Sequence, residues 1–249
     1  MPMVHKTIKK GQVPLNKTIK LYDVRKKTPP QPKRIDLPML SVLITAHNTE
    51  NYIQKCISSI ITQKWRGEIE ILVCDDGSTD NTYRKIPAGL PNLYIVRNEM
   101  NLGISKSLNQ LFEMARGEYL FFIGSDDYLT GNYFEYAFEQ IQKGYDVIYT
   151  NMQIENEEGK PFGVGTLYLP IFHRKYLVKW DWPKDEAGHD IPQKRALIGV
   201  PHCCNPSADY HYVRRKKNHT TIYGQYRPEK GEFVPKNEPM WRRKKSNEE

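Results

Sequence analysis

Apolar and polar positions follow two different periods along the middle of the chain. Short apolar runs that end at Gly, Asn or Asp predict buried strands, and the segments between them carry apolar residues at helical spacing. The predicted strands are 40–44, 69–78, 92–98 and 119–123, and the predicted helices are 48–63, 103–117 and 133–144. This alternation indicates an α/β fold with a doubly wound, mostly parallel sheet and helices on both faces.

The pattern is weaker towards the C-terminus. Residues 145–163 predict a strand and hairpin, and residues 166–180 predict a strand running into a helix. The tail from about residue 223 has no clear period. We therefore divide the chain into a basic N-terminal arm (1–38), one α/β domain (39–222) and a basic C-terminal tail (223–249).

Functional-looking residues stand at the C-terminal ends of three of the predicted strands, at 45–48, 75–77 and 125–127. Asp, Gly and Ser are ordinary turn residues, so any one of these segments is also explained as a solvated turn. Independent turns have no reason to recur at the carboxyl ends of parallel strands, however, and ligands bind at that edge of open α/β sheets. The carboxylates Asp126 and Asp127 there suit a divalent cation that in turn holds a diphosphate.

Charge is distributed unevenly along the 249 residues. The net charge of +8 divides into +8 for residues 1–40, −6 for 41–211 and +6 for 212–249. Basic arms that also carry Tyr and Trp suit a polyanion such as nucleic acid or an anionic membrane surface. Charge runs are also commonly solvated, disordered tails.

Cysteine usage and hydropathy indicate the compartment. The four cysteines show no metal-ligand spacing, which favours reduced thiols. No apolar run approaches the roughly 20 residues that span a bilayer, and the N-terminus has no apolar signal core. We expect a soluble, cytoplasmic protein, in the host cytoplasm if a phage encodes it.

Four motifs between about residues 40 and 222 resemble the family-two glycosyltransferases, which have the GT-A fold: SVLITAHNTENY, VCDDGSTDNT, NEMNLGISKSLN and GSDD. The resemblance implies an inverting enzyme that uses a UDP-sugar and a metal. His47 replaces the family's usual Tyr, and Leu108 replaces a common Arg whose charge Lys106 could supply. The implied nucleotide-sugar site consists of Thr45, Ala46, Asn48, Glu50, Asp76, Lys106, Ser125 and Asp126, with Asp76 accepting the uracil imide N–H.

The GSDD segment resembles the family's Asp-x-Asp metal motif with Gly124 in place of the first Asp. The resemblance assigns Asp126 to Mn²⁺ or Mg²⁺, which neutralises the charge that develops on the leaving diphosphate. His219 is the candidate for a further metal ligand, with His211 as the alternative. A lone His is more often a surface or packing residue, and that reading stays open for both.

The segment GHDIPQKRAL (188–197) resembles the family's Glu-Asp element, which supplies the catalytic base. His189 replaces the Glu, and the resemblance makes Asp190 the base, with Asp185 and Glu186 as alternatives if the alignment contains a gap. Arg195, Trp180 and Trp182 fall where the family builds its acceptor site. An indole there can stack on a sugar or base, and it can equally belong to the core.

The acceptor is inferred from the basic arms, which favour a hydroxymethylated base in DNA, as in phage DNA-modifying enzymes. The alternative is a lipid-linked or polysaccharide acceptor at a membrane surface. A second alternative is a non-catalytic nucleotide-sugar-binding module, because Gly124, Leu108 and His189 depart from the family pattern.

Overall fold

The computed structural model describes residues 19–22, 37–166, 170–178, 196–197, 200–214, 220–221, 224–227 and 232–235. The main sheet contains β1 (Ile19–Tyr22), β2 (Leu40–Ala46), β3 (Ile69–Asp75), β4 (Leu93–Asn98), β5 (Tyr119–Gly124), β6 (Tyr128–Leu129), β7 (Val147–Asn156), β8 (Pro161–Thr166), β9 (Ile171–His173) and β10 (His202–Arg214). The helices are α1 (Ile53–Ile61), α2 (Thr82–Lys85), α3 (Ile104–Met114), α4 (Tyr133–Gln142) and a 3₁₀ turn at Arg174–Tyr176. A small antiparallel sheet contains β11 (Thr220–Thr221), β12 (Gly224–Arg227) and β13 (Glu232–Pro235).

The main sheet is mixed, with a parallel centre. Its order is β1-β4-β3-β2-β5-β9-β7-β10-β6, and β8 pairs with β7. Strands β4, β3, β2 and β5 pair in parallel. Strand β9 is antiparallel to both β5 and β7, and β10 is parallel to β7, so β7 and β10 run in the same direction as the central four strands. The predicted mostly parallel α/β sheet is confirmed.

Helices cover both faces of this sheet. Alternate residues of β2 point to opposite sides, so Val42 and Ile44 pack with α1 and α4, whereas Leu43 packs with α3. Leu108, at the position where the family commonly has Arg, is completely buried in the α3 layer. This arrangement confirms the predicted doubly wound fold with one core on each face.

The structure differs from the sequence prediction in the C-terminal half of the α/β domain. Residues 166–180 were expected to run from a strand into a helix, but β9 is followed by a single 3₁₀ turn at Arg174–Tyr176, and the next residue, Leu177, has an extended backbone (φ −64°, ψ 132°). Strand β10 was not predicted, although its 13 residues make the most extensive pairing with β7.

Part of each predicted arm has secondary structure. Strand β1 lies inside the arm that the sequence analysis placed before the first strand, and it pairs antiparallel with β4, with Ile19 opposite Asn98. Strands β12 and β13 pair inside the predicted C-terminal tail. None of the helices in the described part of the chain has the length and apolar character needed to cross a membrane.

Candidate active site

Strand register brings the predicted site segments to one edge of the sheet. Ala46 lies opposite Asp75, and Thr45 lies opposite Gly124, so the segments that follow β2, β3 and β5 emerge side by side. Because these three strands are parallel, this edge is the carboxyl edge, where ligands of open α/β sheets bind. The side chain of Ala46 is buried and its carbonyl accepts from the Asp76 amide at 2.7 Å, whereas Thr45 is half-buried.

Asp76 accepts three hydrogen bonds at this edge, and it is only 3% exposed. Its Oδ1 accepts from Asn98 Nδ2 and the Leu102 amide, and its Oδ2 accepts from the Gly103 amide, each at 2.8 Å. Gly103 has a φ of 90°, which side-chain-bearing residues rarely adopt, and it directly precedes α3. Asp76 therefore holds the start of α3 against β3, in addition to the nucleobase role predicted for it.

The segment after β2 is tied to the loop after β3. Asn48, with a φ of 52°, accepts from the Thr79 amide at 2.9 Å, and the Glu50 carboxylate accepts from Asn81 at 3.1 Å. His47 Nδ1 lies 2.8 Å from the carbonyl oxygen of Asp76. The predicted nucleotide-site residues Asn48 and Glu50 thus form a connected rim at this edge.

A polar cavity of about 280 Å³ lies beside this rim. Arg97, from the end of β4, places its Nε 3.0 Å from Asp75 Oδ2 and its guanidinium 4.5 Å from the centre of the Tyr83 ring. The cavity is lined by Ser78, Thr79, Asp80, Asn81, Tyr83, Arg84 and Arg97. It extends the polar surface from the predicted nucleotide site towards β4.

The carboxylates after β5 differ in their surroundings. Asp126 is half-buried, whereas Asp127 is 4% exposed. Asp127 Oδ1 accepts from the Val213 amide at 2.9 Å, and Oδ2 accepts from the Tyr210 hydroxyl. Asp127 is therefore directed into the protein towards β10.

The described residues contain no cluster of three or more His, Cys, Asp or Glu side chains arranged to hold a metal. His211 already uses both ring nitrogens: Nδ1 lies 3.2 Å from Glu155 Oε2 and Nε2 lies 3.0 Å from Thr130 Oγ1. Binding a metal through His211 would break one of these contacts. A single carboxylate at Asp126 nevertheless fits a cation of the Mg²⁺ type, which keeps several waters and binds through one or two carboxylates plus substrate phosphates.

Of the remaining predicted site residues, the structure describes only two. Lys106 is exposed in the first turn of α3, and Ser125 is buried beside Asp126. The predicted base, acceptor-site residues and His ligand lie outside the described residues: Trp180, Trp182, Asp185, Glu186, Asp190, Arg195 and His219. Their roles stay predictions.

Sequence reasoning missed the residues that support this edge from other strands. Asn98 was read as the end of a strand and as the first residue of the NEMNLGISKSLN motif, but its bond to Asp76 was not predicted. Tyr210 and Val213 were read only as part of the basic C-terminal region, although the aromatic and β-branched residues around them favour a strand. That strand signal could have located β10, but its contact with Asp127 depends on tertiary structure.

Solved structures share this fold. The structure of S. aureus TarS 1-349 in complex with UDP-GlcNAc superposes with a TM-score of 0.60 at 23% identity, covering 73% of this chain and 60% of TarS 1-349. At this identity the similarity establishes the GT-A-like fold alone.

Curated relatives match by sequence. The hyaluronan synthase of Pasteurella multocida is 32% identical over 162 residues, which is 63% of this chain and 16% of the synthase. The chondroitin synthase of Escherichia coli is 31% identical over 145 residues, which is 57% of this chain and 21% of that synthase. The chain thus matches only about a fifth or less of the length of these relatives. The family model for glycosyl transferase family 2 matches residues 41–204, so the chain belongs to glycosyl transferase family 2.

Proposed function

We propose that this chain transfers a sugar from a UDP-sugar to an acceptor hydroxyl with inversion at the anomeric carbon. The observation that carries the proposal is the meeting of Asp76, Asp126 and the Asn48–Glu50 rim at one carboxyl edge, in a member of glycosyl transferase family 2. The UDP and UDP-GlcNAc complexes of TarS support a uridine diphosphate donor.

In this proposal the rim binds the nucleoside and Asp126 faces the diphosphate. Asp76 retains lone pairs beyond its three protein bonds, and one can accept the imide N–H of uracil. Asp126 would hold Mn²⁺ or Mg²⁺ jointly with the diphosphate, with His219 as a further candidate ligand. When bound, the cation neutralises the charge of the leaving group.

The proposed chemistry is a single displacement. The acceptor oxygen forms a bond to the anomeric carbon while the bond from that carbon to the diphosphate oxygen breaks, and the electron pair leaves with UDP. Asp190 takes the proton of the attacking hydroxyl as general base. Asp185 and Glu186 are the alternative bases, and Arg195, Trp180 and Trp182 are the proposed acceptor contacts.

We favour a glycan acceptor, either a polysaccharide or a lipid-linked sugar. Two relatives are named hyaluronan synthase and chondroitin synthase, so their named products are polysaccharides. The carboxyl edge is also acidic, because Asp75 and Asp76 lie at the end of β3, and Asp126 and Asp127 follow β5. Carboxylates repel a phosphate backbone but tolerate a neutral sugar.

A hydroxymethylated base in DNA is the second candidate acceptor. Residues 1–40 carry a net charge of +8, and the register of β1 against β4 brings residue 19 to the carboxyl edge, opposite Asn98. The basic residues that precede β1 therefore connect to the chain beside the proposed donor site. DNA bound by these residues would show an affinity that falls steeply with salt, with a log–log slope of about −0.9 for each phosphate contacted.

A donor and acceptor panel tests this function. The full chain with Mn²⁺ is incubated with several UDP-sugars, and UDP release is measured with glycan oligosaccharides, lipid extracts and hydroxymethylated duplex DNA. We expect release above slow hydrolysis with a glycan or lipid-linked acceptor. If only hydroxymethylated DNA stimulates UDP release, the acceptor is a base in DNA and not a glycan. Absence of UDP binding and of any hydrolysis would contradict a transferase, and UDP-sugar binding without turnover would indicate the non-catalytic module.

Residue variants test the assigned roles. Asp190→Asn keeps the size of the side chain but not its basicity, so transfer should fall by about 10²–10⁴-fold while UDP affinity is unchanged. If Asp190→Asn retains activity and Asp185→Asn or Glu186→Gln loses it, the base is reassigned. Asp126→Ala should abolish the enhancement of UDP binding by Mn²⁺, as measured by calorimetry.

A further inference from the structure

Strand β10 pairs with β6, which lies in the segment between β5 and α4 that carries Asp126. Tyr210 lies opposite Leu129 and His211 lies opposite Tyr128 in the β10–β6 pairing. The Thr130 amide also donates to the carbonyl of Asp209 at 2.8 Å. The short segment between β5 and α4 is therefore held along its length by one strand from late in the chain.

Asp127 makes the side-chain link between this segment and β10. Its two oxygens accept from the Val213 amide and the Tyr210 hydroxyl, and its own amide donates to the Gly124 carbonyl at 3.0 Å. A carboxylate with both oxygens engaged by one strand fixes its own backbone and that of the preceding residue. That residue is Asp126.

The surroundings of Tyr210 keep its hydroxyl protonated, so that it donates to Asp127. The side chain is 4% exposed, and its ring packs edge-on against Phe121 of β5 at 6.4 Å between centroids. Burial, together with the nearby Asp127 charge, raises the pKa of Tyr210 well above its usual value, so the hydroxyl keeps its proton.

Gly124 leaves the space that this arrangement uses. A Cβ at position 124 would lie 2.8 Å from Asp127 Oδ2 and 3.1 Å from Asp126 Oδ1. The two carboxylates therefore converge on the position where the family has its first metal-motif Asp. The inward orientation of Asp127 therefore requires that residue 124 has no side chain, as Gly124 provides.

We propose that Asp127 is a positioning residue that, through Tyr210 and Val213 of β10, holds the Asp126 carboxylate in place for the cation. It is not itself a ligand. This inference rests on the proposed function. It also gives β10 a role in the donor site, because Tyr210 and Val213, which donate to the Asp127 carboxylate, belong to β10.

The test compares two buried tyrosines. Tyr210→Phe removes the hydroxyl that holds Asp127 but keeps the negative charge of Asp127. Tyr133→Phe is the matched control: Tyr133 is fully buried, its ring also packs on Phe121 (5.6 Å), and its hydroxyl donates to the Ile148 carbonyl at 2.7 Å. The Tyr133 hydroxyl also accepts from the Ile171 amide at 3.2 Å, so both variants lose buried hydrogen bonding and both should lose stability.

The first readout is Mn²⁺ binding by electron paramagnetic resonance with saturating UDP. Loss of a hydrogen bond to a charged group should weaken Mn²⁺ binding by about tenfold in Tyr210→Phe. Tyr133→Phe should bind Mn²⁺ like the wild type. An unchanged dissociation constant in Tyr210→Phe, or an equal change in both variants, would overturn the positioning role and leave the proposed function intact. Failure of the wild type to bind Mn²⁺ with UDP would overturn the cation site and this role with it.

The second readout needs no metal. Cys56 is buried and its thiol donates to the Gly124 carbonyl at 3.4 Å, so its reaction with a thiol reagent reports opening of this segment. Peptide mass spectrometry should show Cys56 labelled about tenfold faster in Tyr210→Phe, with buried Cys74 unchanged as an internal reference. Equal labelling of Cys56 in wild type, Tyr210→Phe and Tyr133→Phe would show that Tyr210 does not hold the segment and would overturn the inference.

Discussion

Asp76→Asn tests the structural role of this carboxylate, which is measured separately from the nucleotide binding proposed for it. The carboxylate accepts three N–H bonds at 2.8 Å and is 3% exposed. An Asn side chain offers one oxygen, which can keep the pair from Asn98 and Leu102. Its NH₂ group would then face the Gly103 amide, and two donors would be apposed without an acceptor.

The expected loss in the free energy of unfolding follows from the hydrogen bonds that the substitution removes. One hydrogen bond to a charged acceptor contributes about 1.5–3 kcal/mol, and an unsatisfied buried donor costs about 1–3 kcal/mol. Allowing for partial relaxation, we expect Asp76→Asn to lower the free energy of unfolding by about 3 kcal/mol, which lowers Tm by roughly 6–12 °C in a chain of this size. Urea unfolding followed by circular dichroism measures the free energy.

Asp80→Asn is the control, because Asp80 is a half-buried carboxylate in the same loop that also accepts from backbone amides, those of Thr82 and Glu50. Water can replace its bonds, so we expect a loss below about 1 kcal/mol. UDP affinity is titrated well below the melting temperature of each variant. A loss of UDP affinity in Asp76→Asn with less than about 0.5 kcal/mol of destabilisation would refute the structural role of Asp76 argued from its three bonds.

Two further substitutions test the packing of the site and of its supporting sheet. Gly124→Ala should cost about 1–3 kcal/mol in urea unfolding, because its Cβ would meet Asp127 Oδ2 at 2.8 Å, whereas Gly163→Ala should be nearly neutral, with its nearest contact at 3.5 Å. Equal stability of the two variants would contradict the crowding at Gly124. Arg116→Met leaves the buried Glu70 carboxylate without the guanidinium that lies 2.9 Å away, and should cost about 2–3 kcal/mol in the same assay, below the roughly 3–5 kcal/mol for a fully buried pair because the Arg116 side chain is 48% exposed. A loss below about 0.5 kcal/mol would show that Glu70 is adequately solvated or bonded without it.

Local pattern predicted most of the central sheet. The apolar runs at 40–44, 92–98 and 119–123 became β2, β4 and β5 with small shifts at their ends. Strands β2 and β5 are buried on both faces at most positions, so nearly every position is apolar and the signal is continuous, whereas β4 is only partly buried. The convergence of three polar segments on one edge also followed from the sequence, because parallel strands end on the same side.

The outer strands were predicted less well, because their positions depend on partners distant in sequence. Strand β1 lies in a basic, Pro-rich region, and only its pairing with β4 makes it a strand. The strand signal of β10 is confined to its C-terminal residues, and the polar segment around residues 205–209 interrupts it, so the full strand depends on pairing with β7 and β6. Such pairings follow from the whole fold and not from local periodicity.

The sequence by itself determined the α/β class, the carboxyl-edge site and the family resemblance, because these depend on residue type and spacing along short segments. Only the tertiary structure decided how the carboxylates of that edge are oriented. Asp126 and Asp127 are neighbours in sequence with the same side chain, yet Asp127 is bound by Tyr210 and Val213 from more than 80 residues away. The energy of a buried carboxylate depends on the donors that surround it, and those donors are assembled only when β10 packs beside β7 and β6.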